Sequence, residues 1–599
     1  MRRLHAAPPL TAMLPSRYAA ACVLVLGLAG CSTPLPPPEQ RPAPPAPVVV
    51  APPPAPVVEP AVALPVTPPA DAVPAPLPQA EAPQALFSAA VQARFPAPPV
   101  DYHTPAFQPG RTTYTSNAEL RTLVHAMADE SRSASDPTRV RLLSVGSSQR
   151  GVPLEALLFS RLGAMDPASL RAADRPTVLL IGQQHGNEPA GAEALLVVAR
   201  ELAHGLLAPL LERINVIVLP RVNPDGAEAG TRASASGIDI NRDHLLLRTP
   251  EAQAVALLMR DYRPTVVVDA HEYTVAGRFL EKFGAVQRYD ALLQYAMTPN
   301  VHEFMTRASQ QWFHEPVQQR LETLGLTSEW YYTTSDNPSD KTVSMGGVRP
   351  DTGRNVNGLK NAVSLLVETR GVGIGRQNLA RRVYTQVSAA ARVLQSAAER
   401  APDLKRLRQF VADDLSALAC RGDVVLEAAP TPSEYSLVMI DPVTGADRAL
   451  TVSWESALGL QPVKKRPRPC GYWLAADEVD AVLRLRALGL VVQRVEENGV
   501  LRGELYTERG RTLVERADVR GAIADGGPAI RVDVTTAPAA FDVPVGSYYV
   551  PLDQPLANLA VAALEPDTQS SYFANHVIGR LGAVARVMLR PASKMSPMP

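Results

Sequence analysis

TVLLIGQQHGNE, Thr177–Glu188, is the stretch on which the fold turns. Its first half is a short apolar run closed by a glycine, the pattern of a buried strand. Its second half leaves that strand carrying His185 and Glu188, three residues apart on a loop. From there both side chains can grip one metal ion from the same side. Imidazole and carboxylate suit zinc, and a catalytic zinc site takes three protein ligands and keeps one position open for water. A lone His-x-x-Glu pair arises often by chance, so a third ligand and a base have to come from elsewhere in the chain.

Three more apolar runs meet that requirement. Thr265–Asp269 (TVVVD) is followed two residues later by His271. Val363–Val367 (VSLLV) leads into Glu368, within ETR, and Ile214–Leu219 (INVIVL) leads into Arg221-Val222-Asn223-Pro224-Asp225-Gly226. Four strands thus deliver polar residues at their carboxyl ends, where open α/β sheets bind ligands. Strands alternate with helical stretches. Gly191–Leu206 follows the His185 loop. A helix opens at Thr249-Pro250-Glu251, with Thr as N-cap, Pro in the first turn and an acid beside it. The amphipathic stretch Arg376–Arg400 closes this unit. Such alternation predicts an α/β layered fold.

In order and character, HGNE, RVNPDG, Arg232, GIDINRD (Gly237–Asp243), DAH and VETR resemble the M14 zinc carboxypeptidases across roughly residues 110–400. The resemblance implies a mixed sheet between helices and one Zn²⁺ per chain, held by His185, Glu188 and His271. It makes Glu368 the general acid/base and Arg232 the group that polarises the scissile carbonyl. Asn241 and Arg242 would bind the terminal carboxylate of a peptide. The substrate-capping tyrosine of the family has no clear counterpart, and Tyr331 and Tyr332 precede a polar elaboration, TTSDNPSDKTVSMGGVRPDTGRN. Asp269 is either an acceptor for a ligand imidazole or a structural strand-end residue. Arg370, two positions beyond Glu368 on the same strand face, is the ion-pair partner that would make Glu368 merely structural. His204, His244, His302 and His314 read as ordinary surface or core histidines.

The ends of the chain carry other information. Arg2, Arg3 and Arg17 precede the apolar stretch Tyr18–Leu28, which is too short to span a bilayer. It ends in LAGC, resembling a bacterial lipobox with Cys31 as the lipidated residue; a cleaved secretory signal or an uncleaved anchor is the alternative. Ser32 follows Cys31, as in lipoproteins sorted to the outer membrane, which implies a lipid-anchored protein at the periplasmic face of that membrane. Residues 32–94 are dominated by Pro, Ala and Val. Proline removes donors and fixes φ, so this stretch reads as a polyproline spacer of about 3.1 Å per residue.

The mature chain is too long for one ordinary domain. Residues 95–400 read as the peptidase and 401–599 as a smaller β-rich accessory domain. The latter has a helix over Pro402–Leu418, a hairpin around DPVTGAD, a helix over Asp477–Leu488 and a strand over Ala529–Thr535. FDVPVGSYYVPLDQPLANLAVAALEP resembles the tail of bacterial M14-like proteins with such an extension. With 59 basic and 59 acidic residues the formal charge is zero, and nothing suggests nucleic acid. The basic cluster Lys464–Arg468 (KKRPR) reads as a solvated loop. Cys420 and Cys470 either form one disulfide or stand as two buried thiols.

The expected activity is release of C-terminal residues from a peptide or murein peptide with a free terminal carboxylate, in the cell envelope. A zinc deacylase of the aspartoacylase and succinylglutamate desuccinylase kind, or a murein-peptide amidase, is the second reading. A non-enzymatic envelope binding module is the third, and the full set of ligand and base residues weighs against it.

Overall fold

The four apolar runs become four neighbouring parallel strands. The structure, a computed structural model, describes residues 87–133, 138–173, 175–523 and 527–598. The leader, Cys31 and the spacer as far as residue 86 lie outside the described residues. In chain order the first strands are β1 (Arg139–Ser147), β2 (Pro153–Ser160), β3 (Thr177–Gly182), β4 (Asn215–Leu219), β5 (Val266–Thr274), β6 (Ala291–Tyr295), β7 (Ser328–Trp330), β8 (Thr333–Thr334), β9 (Val343–Ser344) and β10 (Val363–Val372). Eight of them form a mixed sheet in the order β1-β2-β4-β3-β5-β10-β6-β7. β4, β3, β5 and β10 run parallel at its centre, and β2 and β6 flank them antiparallel.

Every residue of β3 and β4 is buried, which requires cover on both faces. Val178 and Leu180 share one apolar cluster with Leu195, Val198 and Leu202 of the helix Ala190–His204. Leu179 and Ile181 point the other way, into a cluster with Val255, Leu258 and Met259 of the helix Pro250–Tyr262. That second helix begins as its sequence dictates: Thr249 Oγ1 accepts the Ala252 N–H at 3.2 Å and proline takes the first turn. Alternate strand residues thus feed alternate layers.

β5 and β10 run further than their apolar runs. Their parallel ladder pairs Glu368 with His271, so both residues lie within strands rather than past the ends. Backbone pairing between two partners holds the extended conformation where hydrophobic patterning has stopped.

The C-terminal half is β-rich, with β11 (Asp423–Ile440), β12 (Asp447–Pro467), β13 (Gly471–Leu474), β14 (Gln493–Val495), β15 (Gly499–Val514), β16 (Ala517–Asp518), β17 (Gly521–Ala522), β18 (Ala529–Val543), β19 (Tyr548–Pro551), β20 (Val584–Val587) and β21 (Met595–Pro597). β11 and β12 make the hairpin expected around DPVTGAD, but far longer, and β12 then pairs with β9. β15 and β18 make a second long hairpin in a seven-stranded sheet. The KKRPR cluster is not a solvated loop. Lys464 and Arg466 project from β12 onto the buried acids Asp567 and Glu565, at 2.8 and 2.7 Å. Cys420 and Cys470 are joined in a disulfide. No helix among the described residues is long and apolar enough to cross a membrane.

Candidate metal centre

The loop that leaves β3 is set by main-chain contact. A Cβ on Gly186 would lie 1.9 Å from the Gly226 carbonyl carbon, so the HGNE and NPDG loops touch backbone to backbone. Asn223 locks this contact. Its Oδ1 accepts the Gly226 N–H at 2.8 Å, and its Nδ2 donates to the carbonyls of Gln184 and Ala233 at 3.2 and 3.1 Å. Arg221 Nε donates to Gln183 Oε1 at 2.7 Å, and Gln183 Nε2 donates to the Gly186 carbonyl at 2.8 Å. RVNPDG is therefore the support on which the histidine loop rests.

Three donor atoms converge on one point. His185 Nδ1 lies 2.8 Å from Glu188 Oε1, His271 Nδ1 lies 2.8 Å from Glu188 Oε2, and the two imidazole nitrogens are 3.0 Å apart. All three side chains are buried. The far nitrogen of each ring faces a carboxylate: His185 Nε2 meets Asp239 Oδ1 at 3.1 Å and His271 Nε2 meets Asp269 Oδ1 at 3.0 Å. A proton on each Nε2 satisfies these acceptors and leaves each Nδ1 lone pair for a cation. This is the arrangement carboxylates impose on zinc-binding histidines. Two imidazole nitrogens and one carboxylate are a zinc donor set, and the site fits that ion.

Behind this set lies a buried relay. Gln184 Nε2 donates to Asp269 Oδ2 at 2.6 Å, and Gln184 Oε1 lies 2.6 Å from His244 Nε2. His244 is thus neither a surface residue nor a candidate ligand but the far end of a chain that orients His271. Glu272, the neighbour of His271, turns to the opposite face and accepts Arg382 Nε at 2.7 Å.

The remaining residues singled out by sequence surround the same point. Glu368 lines the cleft and makes no ion pair among the described residues. Arg370 turns away from it, stacking 3.9 Å over the Phe95 ring and donating to the Gln287 carbonyl. Burial first, and then the charge of Glu188, push the Glu368 carboxyl up to about 7. A group so placed can take or give a proton near neutrality. Arg232 Nη1 lies 3.2 Å from both His185 Nδ1 and Glu188 Oε1, while its Nε donates to Asp239 Oδ2 at 3.0 Å. Asn241 packs its amide against His271 and accepts the Gly353 N–H at 2.8 Å. Arg242 lines the cleft and pairs with Asp518. Of the two tyrosines, Tyr331 lines the narrow part of the cleft beside Glu368, and Tyr332, buried edge-on to Phe279, borders its wider part.

Three residues escaped the sequence reading. Asp239 stood inside GIDINRD without a role, yet it orients both His185 and Arg232. Its position between two motif residues, at the N-cap of the turn 240–242, was the available signal. Arg520 and Asp518 lie in a β-rich stretch with no motif, and only folding brings them to the cleft.

A buried three-donor centre with an acid and four guanidinium groups in one cleft is the arrangement of a zinc hydrolase that acts on an acyl bond. Residues 126–247 match the zinc carboxypeptidase family Peptidase_M14. The chain is 29% identical over 403 residues to carboxypeptidase 2 of Trichophyton rubrum, spanning 66% of this chain and 72% of that one. It is 36% identical over 126 residues to carboxypeptidase E of Caenorhabditis elegans, spanning 18% of this chain and 25% of that one. A metallo-carboxypeptidase from Burkholderia cenocepacia superimposes with a TM-score of 0.37 at 16% identity, over 47% of this chain and 70% of that one; this adds nothing to the sequence matches. Residues 126–247 thus form an M14 zinc carboxypeptidase domain, and the chain is a metallocarboxypeptidase.

Proposed function

We propose that the protein removes C-terminal residues from peptides of the bacterial cell envelope, where a lipid on Cys31 anchors it at the periplasmic face of the outer membrane. The observation that carries the catalytic reading is the convergence of His185, Glu188 and His271 beside Glu368, which has no ion-pair partner among the described residues. In this reading the three converging residues hold one Zn²⁺, which supplies a Lewis acid and acidifies water. Glu368 accepts the proton of the attacking water and returns it to the leaving amine. Arg232, fixed by Asp239, donates to the oxygen on which negative charge develops. Arg242 and Asn241 receive the terminal carboxylate in charge-assisted hydrogen bonds. Protein tails and murein peptides both present the required terminus. The leader and LAGC motif support export and anchoring.

A matched pair of peptides, one with a free terminal carboxylate and one amidated, tests the reading. The wild type should cleave the acid and reject the amide, and Arg242→Ala should lower kcat/KM for the acid alone. Equal cleavage of both by the wild type would replace an exopeptidase with an amidase or endopeptidase. Palmitate labelling that survives Cys31→Ala would remove the anchor.

A further inference from the structure

β16 and β17 form a tight hairpin in which Ala517 pairs with Ala522 and Asp518 with Gly521. The two residues at its tip, Val519 and Arg520, line the cleft beside Glu368 and Arg242. Asp518 Oδ2 accepts from Arg242 Nε at 3.0 Å and from Nη2 as well, while Oδ1 accepts the Arg520 N–H at 2.7 Å. Both side chains of this pair are about nine-tenths covered. The hairpin is held from outside: Arg278 Nη1 donates to the Arg520 carbonyl at 2.7 Å, and Gln569 Nε2 to the Ala517 carbonyl at 3.2 Å. At Gly521, with φ +117°, a Cβ would lie 2.1 Å from Asp336 Oδ2, so the turn also fits closely there.

The space that remains is uneven. Between Arg242, the hairpin tip and Glu368 the cavity measures about 20 Å³. That holds roughly one water and no amino-acid residue. On the side of Tyr332 and Asp336 the cleft opens to about 640 Å³. The closed part is where a terminal residue has to sit. The group that fills the guanidinium there is itself a carboxylate, presented to two N–H donors as a peptide terminus would be.

We propose that Asp518 is a resident competitor for the carboxylate site on Arg242 and thereby sets how tightly substrate termini bind. This rests on the reading of Arg242 as the residue that receives the substrate's carboxylate. A peptide terminus then binds by exchange, and the displaced Asp518 has a cation waiting. Arg520 Nε lies 3.8 Å from its Oδ2 already. Because the exchange precedes bond cleavage, its cost falls on substrate binding rather than on turnover.

Asp518→Asn keeps the shape of the side chain and removes the competing charge. KM for the free-acid peptide should fall roughly tenfold or more, the scale of one hydrogen bond to a charged group. Turnover should stay within about twofold. The Kd of N-acetyl-leucine, measured by calorimetry, should fall in parallel, and that of N-acetyl-leucinamide should not move. Asp518→Glu, which restores the charge, should return KM toward wild type. Asp518→Ser serves the same comparison if circular dichroism shows that the amide disturbs the fold. A purely structural hairpin predicts the reverse: KM raised or unchanged and kcat lowered in every folded variant. Arg242→Ala separates the two layers. If it abolishes N-acetyl-leucine binding while Asp518→Asn fails to strengthen it, the competitor is refuted and the carboxylate site survives. If Arg242→Ala leaves that binding intact, both fail.

Discussion

Two buried charge networks in this protein look alike in composition and differ in kind. In the C-terminal half, Glu565 and Asp567 face Arg466 at 2.7 Å, Lys464 reaches Asp567 at 2.8 Å, and Arg586 stands 3.1 Å from Glu565. The Tyr472 hydroxyl donates to Glu565 at 2.8 Å. Every acid there has a cation, and the network closes on itself. Beside β3 and within β5, by contrast, three ligand-type atoms point at one another, and the one side-chain cation that reaches them among the described residues, Arg232, meets the set only at its edge, 3.2 Å from His185 Nδ1 and Glu188 Oε1. Burial of charge is therefore no mark of a site. The mark is a set of donors whose lone pairs converge while their outer atoms are already satisfied.

The largest effect should come from breaking the convergent set. His271→Ala or His185→Ala should lose most of the bound zinc, and with it essentially all peptidase activity, by elemental analysis and turnover on the same sample. Full zinc in both variants would equate this network with the closed one. Next in size, Glu368→Gln should keep zinc and fold while turnover drops by roughly 10²–10⁴-fold, the range for general acid/base catalysis. Near-wild-type turnover would show that the unpaired acid is a bystander.

The closed network should answer differently. Glu565→Gln leaves the guanidinium groups of Arg466 and Arg586 underpaired, which should cost about 3–5 kcal/mol of stability by denaturant titration. Zinc per folded chain should not change, and a variant that lost metal would mean the two networks are coupled. The smallest effect tests a buried charge with no ion-pair partner among the described residues. Lys360 is buried, and burial with nearby Arg260 brings its ammonium from the ordinary 10.5 down to about 7. Between those values the unfolded chain binds more protons than the folded one, so stability rises as pH is raised from about 7 toward 10 and the penalty is complete below 7. Lys360→Met should be more stable than wild type at pH 7, with the gap closing by pH 10. Parallel melting curves across that range would sink the assignment.

Much of the first network was legible in the sequence because its residues sit at the ends of apolar runs, where patterning is strongest. His185, Glu188 and Glu368 follow such signals, whereas Arg232 has no apolar run before it and is implied only by the M14 resemblance; the order of the central strands agrees with the layered fold expected. What stayed hidden was made by pairing between distant segments. The extension of β5 and β10 through His271 and Glu368 depends on each strand holding the other. The length of the β11–β12 hairpin, and with it the place of KKRPR, depends on cross-strand partners that local composition does not announce. Asp518 lies 276 residues from Arg242 and shares no motif with it. Tyr331 and Tyr332 are neighbours in the link between β7 and β8, and both border the cleft, a placement no local pattern announces.

The contact between Gly186 and Gly226 fixes more than a loop. Neither residue carries a reactive group, yet a methyl on Gly186 would part the two segments, and one on Gly226 would strike the Asn223 amide and the Ala233 carbonyl that lock them together. The two loops behave as one machined part whose tolerance is set by bare peptide groups. A saturation scan scored on metal content should accordingly rank these two chemically inert positions beside the ligands themselves, and no single replacement at one should be rescued by a replacement at the other.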